Sequence, residues 1–214
     1  MIKIKSFVFN PFSENTYVLS DETNSCVIID PGCYEVEEQQ KLASYIEEES
    51  LKVEYLLNTH CHIDHVLGNW WVKKTYKVPF GIPPLEEALL KAVKSYAGNY
   101  GFHQYQELLP DFYLNESDVI NFGQSELKII LAPGHSPGHV VFHCPEQGFC
   151  IGGDVLFQGS IGRTDLPGGD HETLIKSIHE KMFSLDDKTV IFCGHGPTTT
   201  IGEEKVSNPF CALT

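Results

Sequence analysis

Four potential metal ligands fall within six residues of this chain: His60, His62, Asp64 and His65. Imidazole nitrogens and carboxylate oxygens are the donors that divalent transition ions accept. An ion held this way can acidify a water and polarise a carbonyl, so the chemistry indicated is metal-assisted. In an extended stretch alternate residues share a side, which lets His60, His62 and Asp64 converge. The chain must then turn to bring His65 in from another direction, so one segment can feed two neighbouring metal positions. Three further candidates stand beside glycines. They are His135 in Ala132-Pro133-Gly134-His135-Ser136-Pro137-Gly138-His139, Asp154 after Gly152-Gly153, and His195 between Gly194 and Gly196. Glycine removes side-chain obstruction and lets backbone come close.

The elements around these residues place them at strand ends. Alternating and apolar runs predict strands over 2–9, 16–19 and 26–29, with turns at Asn10-Pro11 and Asp21-Glu22. The uninterrupted Val27-Ile28-Ile29 predicts a strand covered on both faces, stopped by Asp30-Pro31-Gly32. A helix fits 35–49, with Val36, Ala43 and Ile46 on one face and its acidic runs on the solvated side. The strand predicted over 53–57 ends on the histidine cluster, and a helix is predicted over 66–76. A second helix fits 85–97, and the aromatic stretch 98–105 reads as a loop. Further strands are predicted over 119–122, 127–131, 140–143 and 149–151. Asp170 is placed to cap a helix carrying Leu174, Ile175, Ile178, Met182 and Phe183, and a last strand covers 189–193. Strand–helix alternation in both halves predicts two α/β halves packed in layers within one domain, residues 1–214.

Composition narrows the partners. Fifteen Lys+Arg against 29 Asp+Glu give a formal charge of −14 in 214 residues, which argues against a nucleic-acid backbone binder, since that needs a basic stripe. It equally disfavours an anionic membrane surface. The implied partner is a small-molecule substrate, and no oligomeric state follows. The N-terminal segment alternates and shows no secretory pattern, and no apolar run approaches the roughly 20 residues of a membrane span. The seven cysteines, at 26, 33, 61, 144, 150, 193 and 211, are odd in number and contain no Cys-x-x-Cys. They are expected to be reduced, buried thiols of a cytoplasmic protein. Of the remaining histidines, His139 is a candidate to hydrogen-bond behind a ligand. His103, His143, His171 and His179 read as ordinary surface or core residues, and Cys61 is expected to point away from the ligands. Arg163 reads equally as an anchor for a substrate carboxylate and as a structural ion pair.

In order along the chain, His-x-His-x-Asp-His at 60–65, Pro-Gly-His-Ser-Pro-Gly-His at 133–139, Gly-Gly-Asp at 152–154 and Cys-Gly-His-Gly-Pro at 193–197 resemble the metallo-β-lactamase-fold hydrolases. The 133–139 segment is similar to the glyoxalase-II-like branch. Gly162-Arg163-Thr164-Asp165-Leu166-Pro167-Gly168-Gly169-Asp170 resembles its short single-domain subgroup. The resemblance implies a four-layer αββα sandwich with the site along one edge of its two sheets. It implies a first metal on His60, His62 and His135, a second on Asp64, His65 and His195, and Asp154 bridging both. The cofactors implied are two divalent ions, zinc first, with iron or manganese also suited to a mixed His/Asp site. Asp64, His62 and Asp154 are the residues assigned to catalysis.

The function implied is hydrolysis of a thioester of the hydroxyacylglutathione type by a metal-bound hydroxide, with Asp64 orienting the nucleophile. A thiolate leaves with little general-acid help, which suits this site. The short stretch after His195 is not expected to supply the helical extension through which two-domain glyoxalase II enzymes contact glutathione. Persulfide dioxygenases resemble the chain in motif order and use a single iron on the equivalents of His60, His135 and Asp154. A lactonase or phosphodiesterase of the same fold is a further alternative.

Overall fold

The computed structural model describes residues 1–213. Its contacts divide the chain into two compact units, one formed by residues 1–114 with 121–126 and the other by the remainder.

The first unit is built on a six-stranded sheet that follows chain order: β1 (Lys3–Phe9), β2 (Glu14–Ser20), β3 (Ser25–Ile29), β4 (Lys52–Leu57), β5 (Phe80–Ile82) and β6 (Phe112–Tyr113). The first three strands pair antiparallel, while β3 to β6 pair parallel. A parallel neighbour needs a crossover, and helices supply each one. These are α1 (Val36–Glu48), then α2 (Ile63–Val66) with α3 (Asn69–Tyr76), then α4 (Glu87–Tyr96). Every residue of β2 and β3 is buried, as the apolar run in β3 predicts. The core of this unit gathers Val18, Ile28, Leu42, Leu56, Val72, Phe80 and Leu90.

The inward face of α1 is carried by Leu42 and Ile46 rather than by Val36, which is 60% exposed. The helix expected over 66–76 is in fact two. A helical turn begins at Ile63 and stops at Val66, and α3 restarts at Asn69. Gly68 sits at the break. Its N–H donates to the carbonyl of Pro31 at 2.7 Å, and a Cβ there would lie 2.6 Å from Cys33 Sγ. The close approach fixes the chain where a longer helix would lift it away. Asp64 and His65 therefore stand on a helical turn, and the extended stretch ends at His62.

The second sheet has the order β14-β13-β10-β9-β8-β7. Its strands are β7 (Val119–Phe122), β8 (Ser125–Leu131), β9 (Val140–Cys144), β10 (Phe149–Gly153), β13 (Val190–Cys193) and β14 (Thr199–Thr200). Between β10 and β13 lie a small hairpin, β11 (Leu156–Phe157) with β12 (Ser160–Ile161), and helix α5 (His171–Ser177). Asp170 caps α5 as expected, its carboxylate accepting the Thr173 N–H at 2.7 Å. A π-helical turn, Ile178–Met182, continues α5, and α6 (Ile201–Ser207) follows β14. Val141, Cys150, Leu174, Ile178 and Ile191 form the core of this unit.

Topology decides where chemistry can gather. Strands β3 and β4 run parallel, so Asp30 after β3 and the cluster after β4 emerge at one sheet edge. Strands β8, β10 and β13 also share a direction, because β9 is antiparallel to both β8 and β10 while β10 and β13 are parallel. His135, Asp154 and His195 follow those three strands and emerge at one edge of the second sheet.

Candidate metal sites

In the first unit His60 and His65 are completely buried, and His62 and Asp64 nearly so. The His60 ring lies 4.8 Å from that of His62, almost perpendicular to it, and 4.1 Å from that of His65. Behind them stands the carboxylate of Asp30. It receives four donors: Thr59 N–H at 2.7 Å, Asn58 Nδ2 at 3.2 Å, Thr59 Oγ1 at 2.6 Å and His65 Nδ1 at 3.2 Å. A carboxylate only accepts, so His65 carries its proton on Nδ1. The single hydroxyl proton of Thr59 goes to Asp30, so the 3.0 Å contact from Thr59 Oγ1 to His60 Nδ1 must be donated by the ring. One carboxylate thus fixes the tautomer of two histidines. In both, Nε2 is left with its lone pair, the form that binds a metal. Asp30, His60 and His65 also bring one ligand atom each within 4.8 Å of one another. With four donors on it, Asp30 acts as the backing group of this trio.

In the second unit the same device uses backbone. His135 Nδ1 lies 2.7 Å from the carbonyl of Arg163, which only accepts, so Nε2 is again the unprotonated nitrogen. His135 Nε2 and His195 Nε2 each lie 3.5 Å from Oδ2 of Asp154. The N–H of Asp154 donates to Nε2 of the buried His139 at 3.0 Å, so His139 hydrogen-bonds to the backbone of Asp154. Gly162 is packed beside this group. A Cβ on it would lie 1.9 Å from the carbonyl oxygen of Asp154 and 3.0 Å from His135 Nδ1.

These distances fit a divalent ion. Two donors each about 2.1 Å from a tetrahedral ion stand about 3.4 Å apart. The Asp154 pairs at 3.5 Å and the His65 Nε2 to Asp64 Oδ2 pair at 3.7 Å match that spacing rather than a direct hydrogen bond. Tautomer, burial and donor set agree in each unit taken separately.

The other residues singled out in the sequence fall outside these arrays. Cys61 is buried with its N–H on Glu86 Oε2 at 2.9 Å, and burial pushes its thiol well above the usual range. It joins none of the His/Asp clusters among the described residues. Arg163 is exposed and forms a two-point ion pair with Asp165, at 2.7 and 2.8 Å. His179 stacks on Phe183, His143 is half-buried, and His103 and His171 are exposed. All seven cysteines are buried and outside any disulfide.

Two carboxylates at the first array do not show in the sequence as site residues. Asp30 reads only as the stop of β3, although its position at the end of a buried strand and its φ of 50° set it apart. Glu14 is fully buried, with Oε2 accepting from Thr16 Oγ1 at 2.9 Å and Oε1 3.9 Å from His65 Nδ1. Burial pushes its carboxyl well above the ordinary range, with His65 acting the other way. Nothing in the spacing of Ser13-Glu14-Asn15 marks it.

A model of the metallo-beta-lactamase superfamily matches residues 9–195. The chain belongs to the metallo-β-lactamase superfamily. Its mixed α/β structure with two sheets is that of the fold the sequence motifs resemble. Hydroxyacylglutathione hydrolase GloC of Haemophilus influenzae is 40% identical over 201 residues, 93% of each chain. The mitochondrial persulfide dioxygenase ETHE1 of Bos taurus is 31% identical over 204 residues, 93% of this chain and 72% of that one. Among solved structures, the BLEG-1 B3 metallo-beta-lactamase matches with a TM-score of 0.89 and 34% identity, covering 99% of this chain and 100% of that one. TTHA1623 in a di-iron-bound form matches with a TM-score of 0.86 and 35% identity, covering 96% and 99%. The metallo-β-lactamase relatives thus include hydrolases and a dioxygenase, and this chain carries the His/Asp metal-binding clusters described above. Among the described residues no helix is long and apolar enough to cross a membrane.

Proposed function

We propose that this protein is a metal-dependent hydrolase of thioesters of the hydroxyacylglutathione type, taking a small-molecule substrate and neither nucleic acid nor membrane. The observation that carries this reading is the tautomer control on both arrays. His60, His65 and His135 are each held with Nδ1 donating and Nε2 ready to ligate. The 40% identity to GloC supports the substrate class. The proposed ligands are His60, His62 and His135 for one ion and Asp64, His65 and His195 for the other, with Asp154 between them. Zinc is the proposed metal, and iron or manganese suits the same donors. Bound divalent ions supply Lewis acidity at the reacting carbonyl and lower the pKa of water to about 7.

The chain's own residues prepare the rest. Asp30 and the Arg163 carbonyl hold the ligand rings in one tautomer and orientation, so no reorganisation is needed as ligands bind. His139 holds the backbone of Asp154. Asp64, on its helical turn, orients the attacking nucleophile. The departing thiolate needs no general acid. The buried cysteines, none of them in a disulfide, support the reducing cytoplasm as the proposed compartment.

The persulfide dioxygenase reading has its own support in the identity to ETHE1. One preparation decides between them. Metal-loaded protein is assayed for thioester cleavage and, in an oxygen electrode, for oxygen uptake with glutathione persulfide. Thioester cleavage without oxygen uptake supports the hydrolase. Oxygen uptake with one iron per chain and no thioester cleavage overturns it.

A further inference from the structure

The hairpin of β11 and β12, with the two residues after it, touches the second array at three points. Phe157 on β11 sets its ring edge-on to that of His195, with centres 6.3 Å apart. Gly162, next after β12, packs on Asp154 and His135, and the carbonyl of Arg163 accepts His135 Nδ1–H at 2.7 Å. The His195 side chain is 28% exposed against 3% for His135, so a neighbouring ring is needed to limit its rotation.

The hairpin cannot hold this position by itself. Its strands pair over two residues each, Leu156 with Ile161 and Phe157 with Ser160. A lone two-stranded ribbon is marginal in water even when longer. Of the loop residues Gln158 and Gly159, only Gly159 has a positive φ, 64°. The turns whose twist suits a two-residue loop carry one at the first position, and this loop does not. The tip therefore needs an outside anchor.

Glu204 on α6 supplies it from a position only 2% exposed. Its Oε2 accepts the Gly159 N–H at 3.0 Å and Asn208 Nδ2 at 2.7 Å, and its Oε1 accepts the Thr199 hydroxyl. Asn208, one helical turn on, also donates to the carbonyl of Ser160 at 3.0 Å. The pair thus grips an N–H on the hairpin tip and a C=O beside it. Thr199 on β14 lies opposite Ile191 of β13, the strand that leads to His195. At the end of that strand Cys193 Sγ lies 3.4 Å from the carbonyl of Leu156. One buried carboxylate therefore joins the strand that leads to His195 and the hairpin that packs against its ring.

We infer that Glu204 is a positioning residue of the second array, acting through the β11–β12 hairpin on the His195 ring and on the carbonyl that sets the tautomer of His135. This rests on the metal-site reading above and deepens it.

The test compares Glu204→Leu, Glu204→Gln, Asn208→Ala and, as a control on the same helix, Lys205→Gln, whose Nζ pairs with Asp187 away from the hairpin. An amide oxygen can take the place of Oε2 while its NH2 meets the Thr199 oxygen, so Glu204→Gln keeps the grip and Glu204→Leu loses it. The first reading is ¹⁵N NMR of the histidine rings in metal-free protein at pH 8. Wild type is expected to hold His135 as its Nδ1–H tautomer. Glu204→Leu is expected to mix the two tautomers and to shift the His195 ring protons as Phe157 withdraws. Glu204→Gln and Lys205→Gln keep the wild-type signals. The second reading is cobalt(II) affinity by competition with a chelator, expected to fall about tenfold in Glu204→Leu and to hold in Glu204→Gln and Lys205→Gln. If Glu204→Leu does not fold, Asn208→Ala decides by the same readings, because it keeps the carboxylate and loses the Ser160 tether. Unchanged ring signals in Glu204→Leu, or in Asn208→Ala where that variant decides, overturn the inference, whatever the cobalt affinity. So does an equal ring change in Lys205→Gln or Glu204→Gln. A wild-type protein that binds no cobalt, yet shows the ring change in Glu204→Leu alone of the two Glu204 variants, refutes the metal reading and upholds the positioning role.

Discussion

Nδ1 of His65 lies 3.2 Å from Oδ2 of Asp30, and the same oxygen accepts the Thr59 hydroxyl whose lone pair receives His60 Nδ1. Asp30 is therefore the hinge of the first array, although it holds no place in the ligand motif. Asp30→Asn keeps the shape but lets an amide N–H face one of the rings. Metal affinity is expected to fall about 10- to 100-fold while the fold is retained. Competition with a chelator, alongside a circular-dichroism spectrum, measures both. Unchanged affinity would show that the tautomer control is idle.

Gly162 occupies space that the second array cannot give up. In Gly162→Ala the added Cβ meets the Asp154 carbonyl oxygen and His135 Nδ1. Backbone must move, at a cost of about 1–3 kcal/mol. The expected result is a lower Tm together with weaker metal retention. Gly98→Ala is the control, because the nearest atom to its Cβ is at 3.4 Å, an ordinary contact. Equal behaviour of the two variants would contradict the packing account.

How much of this was legible in the sequence differs by residue. The ligand cluster at 60–65 and the three strand-end ligands stand out because rare residue types recur beside glycines. The long strands are legible because their apolar runs exceed chance. Strands β5, β6, β11, β12 and β14 hold only two or three residues each, too few for a period to register, so they were not foreseen. The break at Gly68 follows from its contact with Pro31 and Cys33, 37 and 35 positions away, which no local pattern carries. Asp30 and Glu14 were missed for the same reason. Their role depends on where β2, β3 and the helical turn at Ile63 meet.

The thiols give a test of burial. Cys33 and Cys61 are pushed well above the usual range, and Cys26, Cys193 and Cys211 up to about 12, in each case by burial first. At pH 8 the folded protein is expected to resist an aromatic disulfide reagent, and all seven thiols are expected to react after unfolding. Prompt reaction of any thiol in the folded state would contradict the burial.

Arg163 holds the Asp165 carboxyl down at about 2 through its side-chain hydrogen bonds. The sign follows directly. A lowered carboxyl pKa favours the folded form above its ordinary value of 3.8, and the benefit fades as pH falls towards about 2. An NMR titration of the Asp165 carboxyl is expected to show a midpoint near 2 that moves up towards 3.8 in Arg163→Gln. An unmoved midpoint would dissolve the pair.

The central claim is that the arrays hold metal to cleave a thioester. Its most direct measurement is the initial rate of S-lactoylglutathione hydrolysis as zinc is titrated into metal-free protein, with His62→Ala in parallel. The account predicts a rate that rises with bound metal, levels off at two ions per chain and is absent in His62→Ala. A metal-free protein that hydrolyses as fast as the loaded one, or a loaded protein no faster than His62→Ala, would contradict it.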